Sequence, residues 1–378
     1  DVANINTASS EPIYQWNPTT ANIYGTWVPA SGAMTIGQGY IVRGLSTPPS
    51  PIPSSTAQFT GRPNNGIINV PITRGNYTGA PYAGAGSTMA TNLDDNWNLI
   101  GNPYPSAISA NEFLIRNASE LTGDTPPLQG TVYLWRHLQA PTSGDDPFYE
   151  NYANNYYAAD YIAYNLSGSN PGGSQEFYGN IGAGQSFFVL MDDAVASGTN
   201  VVFNNAMRIG SVPNDQFYRN TNNLDNQNNI TIERNRIWLD LMNPGGSAAS
   251  LLVAYIQGAT NGKDRLYDGF DFSDAPTRFY SLIGNEKMAI QGKSLPFDQE
   301  DKVPLGFMVG QAGSYDIAIN ALDGIFADPS QTIFLEDTYM NTISDLRNAP
   351  YSFTSEIGNF EDRFILRYTN QTLSTPDE

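Results

Sequence analysis

Asn96-Trp97-Asn98-Leu99-Ile100-Gly101-Asn102-Pro103-Tyr104-Pro105-Ser106 combines a strand pattern, a forced turn and two prolines in one short stretch. Trp97, Leu99 and Gly101 alternate with Asn96, Asn98 and Ile100, the period-two pattern of a strand with two unlike faces. Gly101-Asn102-Pro103 ends that strand, because proline lacks an N–H and steers the residue before it out of the helical region. Two readings follow. The stretch is a corner that locks a β-domain, or it is a ligand loop that displays Tyr104.

The rest of the chain fits many short strands. Its 378 residues are 40% hydrophobic and 12% aromatic, enough for two or three cores. Thirty-five glycines and 25 prolines with only 15% charged residues suit tight turns between strands far better than helices. A formal charge of −19 argues against nucleic acid as a partner, since phosphate contacts need clustered Lys and Arg. There is no cysteine, hence no disulfide and no thiolate metal site. No apolar run approaches the roughly 20 residues of a spanning helix, so a membrane span is not expected.

Along the chain, Tyr14-Gln15-Trp16, Gly25 to Pro29, Ile36 to Val42 and Gly66 to Ile72 read as short strands bounded by Gly and Pro. After the opening stretch, Ser109 with Glu112 three residues on marks the N-terminus of one short helix. Thr131 to Arg136, Tyr161 to Asn165, Ile181 to Leu190 and Asn200 to Asn205 read as further strands. Two of these runs echo earlier ones: Gly184-Gln185-Ser186-Phe187-Phe188-Val189 answers Gly37-Gln38-Gly39-Tyr40-Ile41-Val42, and Tyr133-Leu134-Trp135 answers Tyr14-Gln15-Trp16. That order predicts two copies of one β-unit, a partial first copy over 1–90 and a second over 91–212, with the gene product extending upstream of Asp1. Residues 213–235 form an Asn-rich linker. Residues 236–378 carry about eight short strands at regular spacing, the pattern of an antiparallel sandwich. The expected fold is all-β, with tandem antiparallel, jelly-roll-like β-sandwich domains and little helix.

Trp97 to Ser106, Gly184 to Val189 and Phe203-Asn204-Asn205-Ala206-Met207-Arg208 resemble the large modular cell-surface proteins of Bacteroidota exported by the type IX secretion system. Leu335-Glu336-Asp337, Pro350 to Thr354 and Asp362 to Tyr368 resemble the β-domain that precedes the sorting domain in those proteins. The resemblance covers nearly the whole chain. It implies an extracellular location at the outer cell surface, reached after removal of a signal peptide and of a sorting domain. It implies no particular activity.

No catalytic signature stands out. One histidine, His137, does not make a zinc site without cysteine or a second histidine. There is neither a Gly-x-Ser-x-Gly elbow nor a phosphate loop. Paired carboxylates suit glycoside hydrolysis, but no spacing among the 37 acids singles out a pair. The best candidate site is Asn261 to Asp271, where Asp264, Asp268 and Asp271 between glycines are expected to ligate calcium or to form a solvated turn. Tyr149, Tyr152, Tyr156 and Tyr157 crowd the insertion between Ser143 and Asp160, where they either stack on sugars and partner proteins or pack on their own domain. Tyr104 is the remaining ligand candidate.

The sequence therefore predicts a secreted structural or adhesive β-sandwich protein without catalytic activity. Its partners are expected to be other surface proteins, glycans or copies of itself. The alternatives are a self-assembling filament or surface-layer subunit, and a carbohydrate-binding or carbohydrate-active domain.

Overall fold

Short extended runs broken by Gly and Pro give an all-β protein. The computed structural model describes residues 13–19, 25–42, 61–75, 82–83, 89–90, 96–119, 125–135, 161–172, 176–192, 194–210, 232–243, 245–246, 248–271 and 275–370. The strands of the first half are β1 (Tyr14–Asn17), β2 (Thr26–Pro29), β3 (Tyr40–Ile41), β4 (Ile68–Pro71), β5 (Tyr82–Ala83), β6 (Met89–Ala90), β7 (Trp97–Gly101), β8 (Ala107–Ser109) and β9 (Leu128–Trp135). After them come β10 (Tyr161–Asn165), β11 (Gly168–Asn170), β12 (Asn180–Ile181), β13 (Ser186–Met191), β14 (Asn200–Phe203) and β15 (Arg208–Ile209). The C-terminal half contributes β16 (Arg234–Met242), β17 (Ala248–Ile256), β18 (Gly269–Phe270), β19 (Thr277–Ile283), β20 (Glu286–Lys293) and β21 (Lys302–Val309). It ends with β22 (Gly313–Leu322), β23 (Phe334–Asp337), β24 (Thr342–Asp345), β25 (Tyr351–Ser355) and β26 (Gly358–Arg367). Among the described residues one α-helix occurs, α1 (Ala110–Ala118), and Ser109 caps it by accepting from the Glu112 N–H as the Ser-x-x-Glu spacing predicts.

The chain divides into two compact units, Asp1–Tyr161 with Gly179–Thr221, and Ile162–Tyr178 with Asn222–Glu378. Segments 1–90 and 91–212 thus share the first unit, where β4 pairs with β14. The hairpin β10–β11 belongs by its packing to the second unit although its sequence lies within 91–212.

In the first unit β7 is the meeting place of the two echoing runs. On one side β13 pairs with it from Ser186↔Gly101 to Leu190↔Trp97. On the other, Gly39 donates to the Leu99 carbonyl and Gly101 donates to that of Gly37. A Cβ at residue 39 would stand 2.4 Å from Leu99 Cγ, so only glycine lets that backbone approach. The expected two-faced alternation of β7 is not what forms: Asn96, Asn98 and Ile100 are buried together with Trp97, and Leu99 is the half-buried one. Asn98 is tolerated there because its amide stands in for a strand neighbour: Oδ1 accepts from the Thr73 N–H and Nδ2 donates to the Thr73 carbonyl, both at 2.9 Å. Around Trp97 stand Trp16, Tyr133 and Phe188, and Trp16 Nε1 donates to the Trp97 carbonyl at 3.0 Å.

The second unit is built on one eleven-stranded sheet in the order β24-β23-β26-β21-β19-β20-β17-β16-β22-β25, with β18 added on β20. Every pairing in it is antiparallel except β17 with β20. Residues two apart supply the core: Ile237, Leu239 and Leu241 from β16, Leu251, Val253 and Tyr255 from β17, Val303, Leu305, Phe307 and Val309 from β21. Phe353, Phe364 and Leu366 close it from β25 and β26. This is the sandwich pattern that regular strand spacing predicts. The opposite face of β16 and β17 is covered by the 162–178 hairpin. There Trp238 Nε1 donates to the Ser169 carbonyl at 2.8 Å, Asn170 Nδ2 donates to Ser250 O at 2.7 Å, and Arg236 pairs with Glu176 at 3.1 Å. Gly172 lies against the Trp238 ring, where a Cβ would come within 2.3 Å.

Candidate functional site

The acidic turn after β17 is shaped by its own carboxylates. Asp264 accepts from the Thr260 N–H through Oδ2, and Asp268 accepts from the Asp264 N–H through Oδ2, both short contacts. The second oxygen of Asp268 accepts from the Gly292 N–H at 2.8 Å, which ties the turn to β20. Asp268 is 5% exposed. Burial pushes its carboxyl up to about 7, against the pull of the two amides, while neighbouring Asp264 raises it and Lys263 lowers it. Burial likewise raises the Tyr267 phenol, helped by the Asp264 charge.

Asp271 faces elsewhere. Its Oδ2 accepts from Arg278 Nε at 2.8 Å, and its carbonyl accepts from Arg278 Nη2 at 3.2 Å. The three aspartates expected to share a cation are therefore not gathered by the turn: Asp264 and Asp268 serve backbone amides, and Asp271 serves an arginine. Among the described residues no group of three or more His, Asp or Glu side chains converges in a metal-holding arrangement.

Tyr104, expected as a displayed ring, stands in the core of the first unit at 2% exposure. Its hydroxyl donates to the Gly66 carbonyl at 2.6 Å, its ring packs edge-on to Phe203, and Arg208 lies over it at 5.3 Å. Burial raises its phenol and the Arg208 charge opposes this. The residue that organises the corner is Asn102. Its Nδ2 donates to the carbonyls of Ser106, Ile181 and Gly182 at 2.9, 3.2 and 2.9 Å, and its Oδ1 accepts from the Tyr104 N–H at 3.0 Å. Tyr149, Tyr152, Tyr156, Tyr157 and His137 lie outside the described residues.

Two ionic clusters in the second unit escaped sequence reasoning. Asp337, fully buried, receives Arg363 through Nε and Nη2, the Tyr351 hydroxyl at 2.8 Å and the N–H groups of Tyr339 and Met340. Burial alone would raise this carboxyl, but the hydrogen bonds from Arg363, Tyr351 and the Met340 amide hold it below the usual carboxylate range. Asp301 receives Lys293 at 2.7 Å and the Tyr255 hydroxyl at 2.7 Å, and Tyr255 meets the Tyr368 hydroxyl at 3.0 Å. Burial drives both phenols far upward, so they act as neutral hydrogen-bonding groups. Phe297 and Phe326 complete an aromatic box around the two tyrosines. The only signal in sequence was the Leu335-Glu336-Asp337 and Asp362-Arg363 pair of motifs, whose spacing gives no hint of contact.

These features define a class: an all-β protein whose acidic and aromatic side chains are built into its sandwich. The chain belongs to the family described as a domain of unknown function, DUF8693, whose model matches residues 1–368. No curated protein and no solved structure matches it. No helix among the described residues is long and apolar enough to cross a membrane.

Proposed function

We propose that this chain is an extracellular structural or adhesive module at a cell surface, working by binding rather than by catalysis. The observation that carries the reading is the commitment of the acidic side chains to the chain itself: Asp264 and Asp268 to backbone amides, Asp271 to Arg278, Asp337 to Arg363 and Asp301 to Lys293. General acid–base or nucleophilic carboxylates face a substrate, whereas these face amides and cations of the fold. The resemblance to secreted surface proteins and the acidic composition support the location. The sheet of the second unit ends on β24 and β25, strands of four and five residues, and short edge strands discourage edge-to-edge pairing. That favours binding of other molecules over polymerisation.

The test is retention of the immobilised full chain on arrays of polysaccharides and surface proteins, followed by analysis of whatever binds. Reversible capture of a ligand recovered intact is the expected result. Release of shortened oligosaccharides or peptides would sink the reading in favour of an enzyme.

A further inference from the structure

The turn after β17 also carries an asparagine–glycine pair, Asn261-Gly262, with both residues exposed. Oδ1 of Asn261 accepts two hydrogen bonds from Ser294, one from its backbone N–H at 3.3 Å and one from its Oγ at 3.2 Å. The Gly262 N–H donates to Thr260 Oγ1 at 3.1 Å. Nothing crowds the glycine: a Cβ built there would meet only Thr260 Oγ1, at 3.6 Å.

We propose that Asn261 is a site of spontaneous deamidation promoted by Ser294. The Gly262 nitrogen loses its proton to solvent and attacks Asn261 Cγ. As the N–Cγ bond forms, the carbonyl π pair moves onto Oδ1. That oxygen then carries the negative charge, and it already faces two Ser294 donors, at 3.3 and 3.2 Å, which are longer than the contacts of an oxyanion hole and have to tighten as the charge develops. Collapse of the intermediate breaks the Cγ–Nδ2 bond, and Nδ2 leaves as ammonia with a proton from solvent. The succinimide that remains is opened by water at either carbonyl, giving aspartate or isoaspartate. The balance is one water consumed and one ammonia released, with no change of oxidation state.

Glycine at the attacking position removes the side chain that would hinder ring closure. Exposure lets water in and ammonia out, and it also weakens the two donors, because water competes with them. The acceleration from the Ser294 hydroxyl is therefore expected near tenfold, below the hundredfold or more of a buried oxyanion hole. The product adds one negative charge beside Lys263, whose ammonium pairs with Glu286 at 2.7 Å and lies 4.3 Å from the Phe270 ring centre. Conversion thus makes an already acidic turn more acidic as the protein ages.

The experiment is incubation of the purified full chain at neutral pH, with peptide mapping of Asp and isoAsp at each asparagine over time. Residue 261 is expected to convert, and Ser294→Ala to slow it about tenfold while conversion at Asn65, in the other Asn-Gly pair, keeps its rate. In concentrated urea wild type and variant are expected to convert position 261 equally, because the Ser294 contact is lost. Failure of Asn261 to convert while Asn65 does, or equal folded-state rates in wild type and Ser294→Ala, would overturn the proposal.

Discussion

Asn102 shows how one side chain substitutes for backbone. Its three donated bonds reach the carbonyls of Ser106 in the loop after it, of Ile181 in β12 and of Gly182 just beyond β12, and so tie the corner to the segment that leads into β13. Asn102→Ala would remove the acceptor of the buried Tyr104 N–H together with the three donated bonds, at about 1–3 kcal/mol for the site even if water re-enters at part of it. Chemical denaturation of the first unit should register that loss; a change within experimental error would show that the corner is held by its prolines alone. Asp268 supplies a second residue-scale test. Its folded value near 7 lies above the unfolded value near 3.9, so its contribution to stability is complete below about pH 4 and is lost as pH rises through 7. The difference is on the order of 4 kcal/mol at full ionisation. Melting curves between about pH 4 and 8 should therefore show a fall in the stability of the second unit that Asp268→Asn removes. An identical slope in the variant would mean that Asp268 titrates normally.

At the scale of elements, β23 and β26 are joined by more than their ladder. Asp337 and Arg363 lie 26 residues apart, and the fully buried carboxylate has Arg363 as its charge partner. Arg363→Met removes the cation and leaves the carboxylate buried, a loss of about 3–5 kcal/mol. Pairing it with Asp337→Leu should recover much of that loss, since removing both charges abolishes the desolvation cost. A single-variant loss below about 1 kcal/mol would show the pair to be peripheral. The depressed carboxyl of Asp337 also fixes a sign: its contribution is present above about pH 4 and disappears as pH falls through its lower folded value. Much of this element level was legible in advance. Trp97–Gly101 is a strand, the Ser109–Glu112 spacing does start a helix, and the regular spacing beyond residue 236 does give a sandwich. The clamps were not legible, because an ion pair between two hairpins leaves no periodic trace in sequence, and Asn102 was hidden because its partners lie about eighty residues downstream.

At the scale of the whole molecule, the echo between Gly37–Val42 and Gly184–Val189 had a structural meaning that sequence order alone did not reveal. The two runs flank one strand, β7, inside a single unit. Reading them as separate tandem units followed from treating similarity along the chain as separation in space. The candidate site was legible only as composition: the turn with three aspartates was visible, but whether those carboxylates point at a common centre or at amides depends on Gly292 and Arg278, which approach from β20 and β19. The functional proposal rests on those carboxylates serving the fold. It is tested most directly by thermal unfolding of the full chain in chelator and in millimolar calcium. If the aspartates are committed to the chain, the melting temperature is the same in both, because a ligand that does not bind the native state cannot stabilise it. A rise in calcium that is lost on Asp264→Asn and Asp271→Asn would contradict the account and make the turn a cation site.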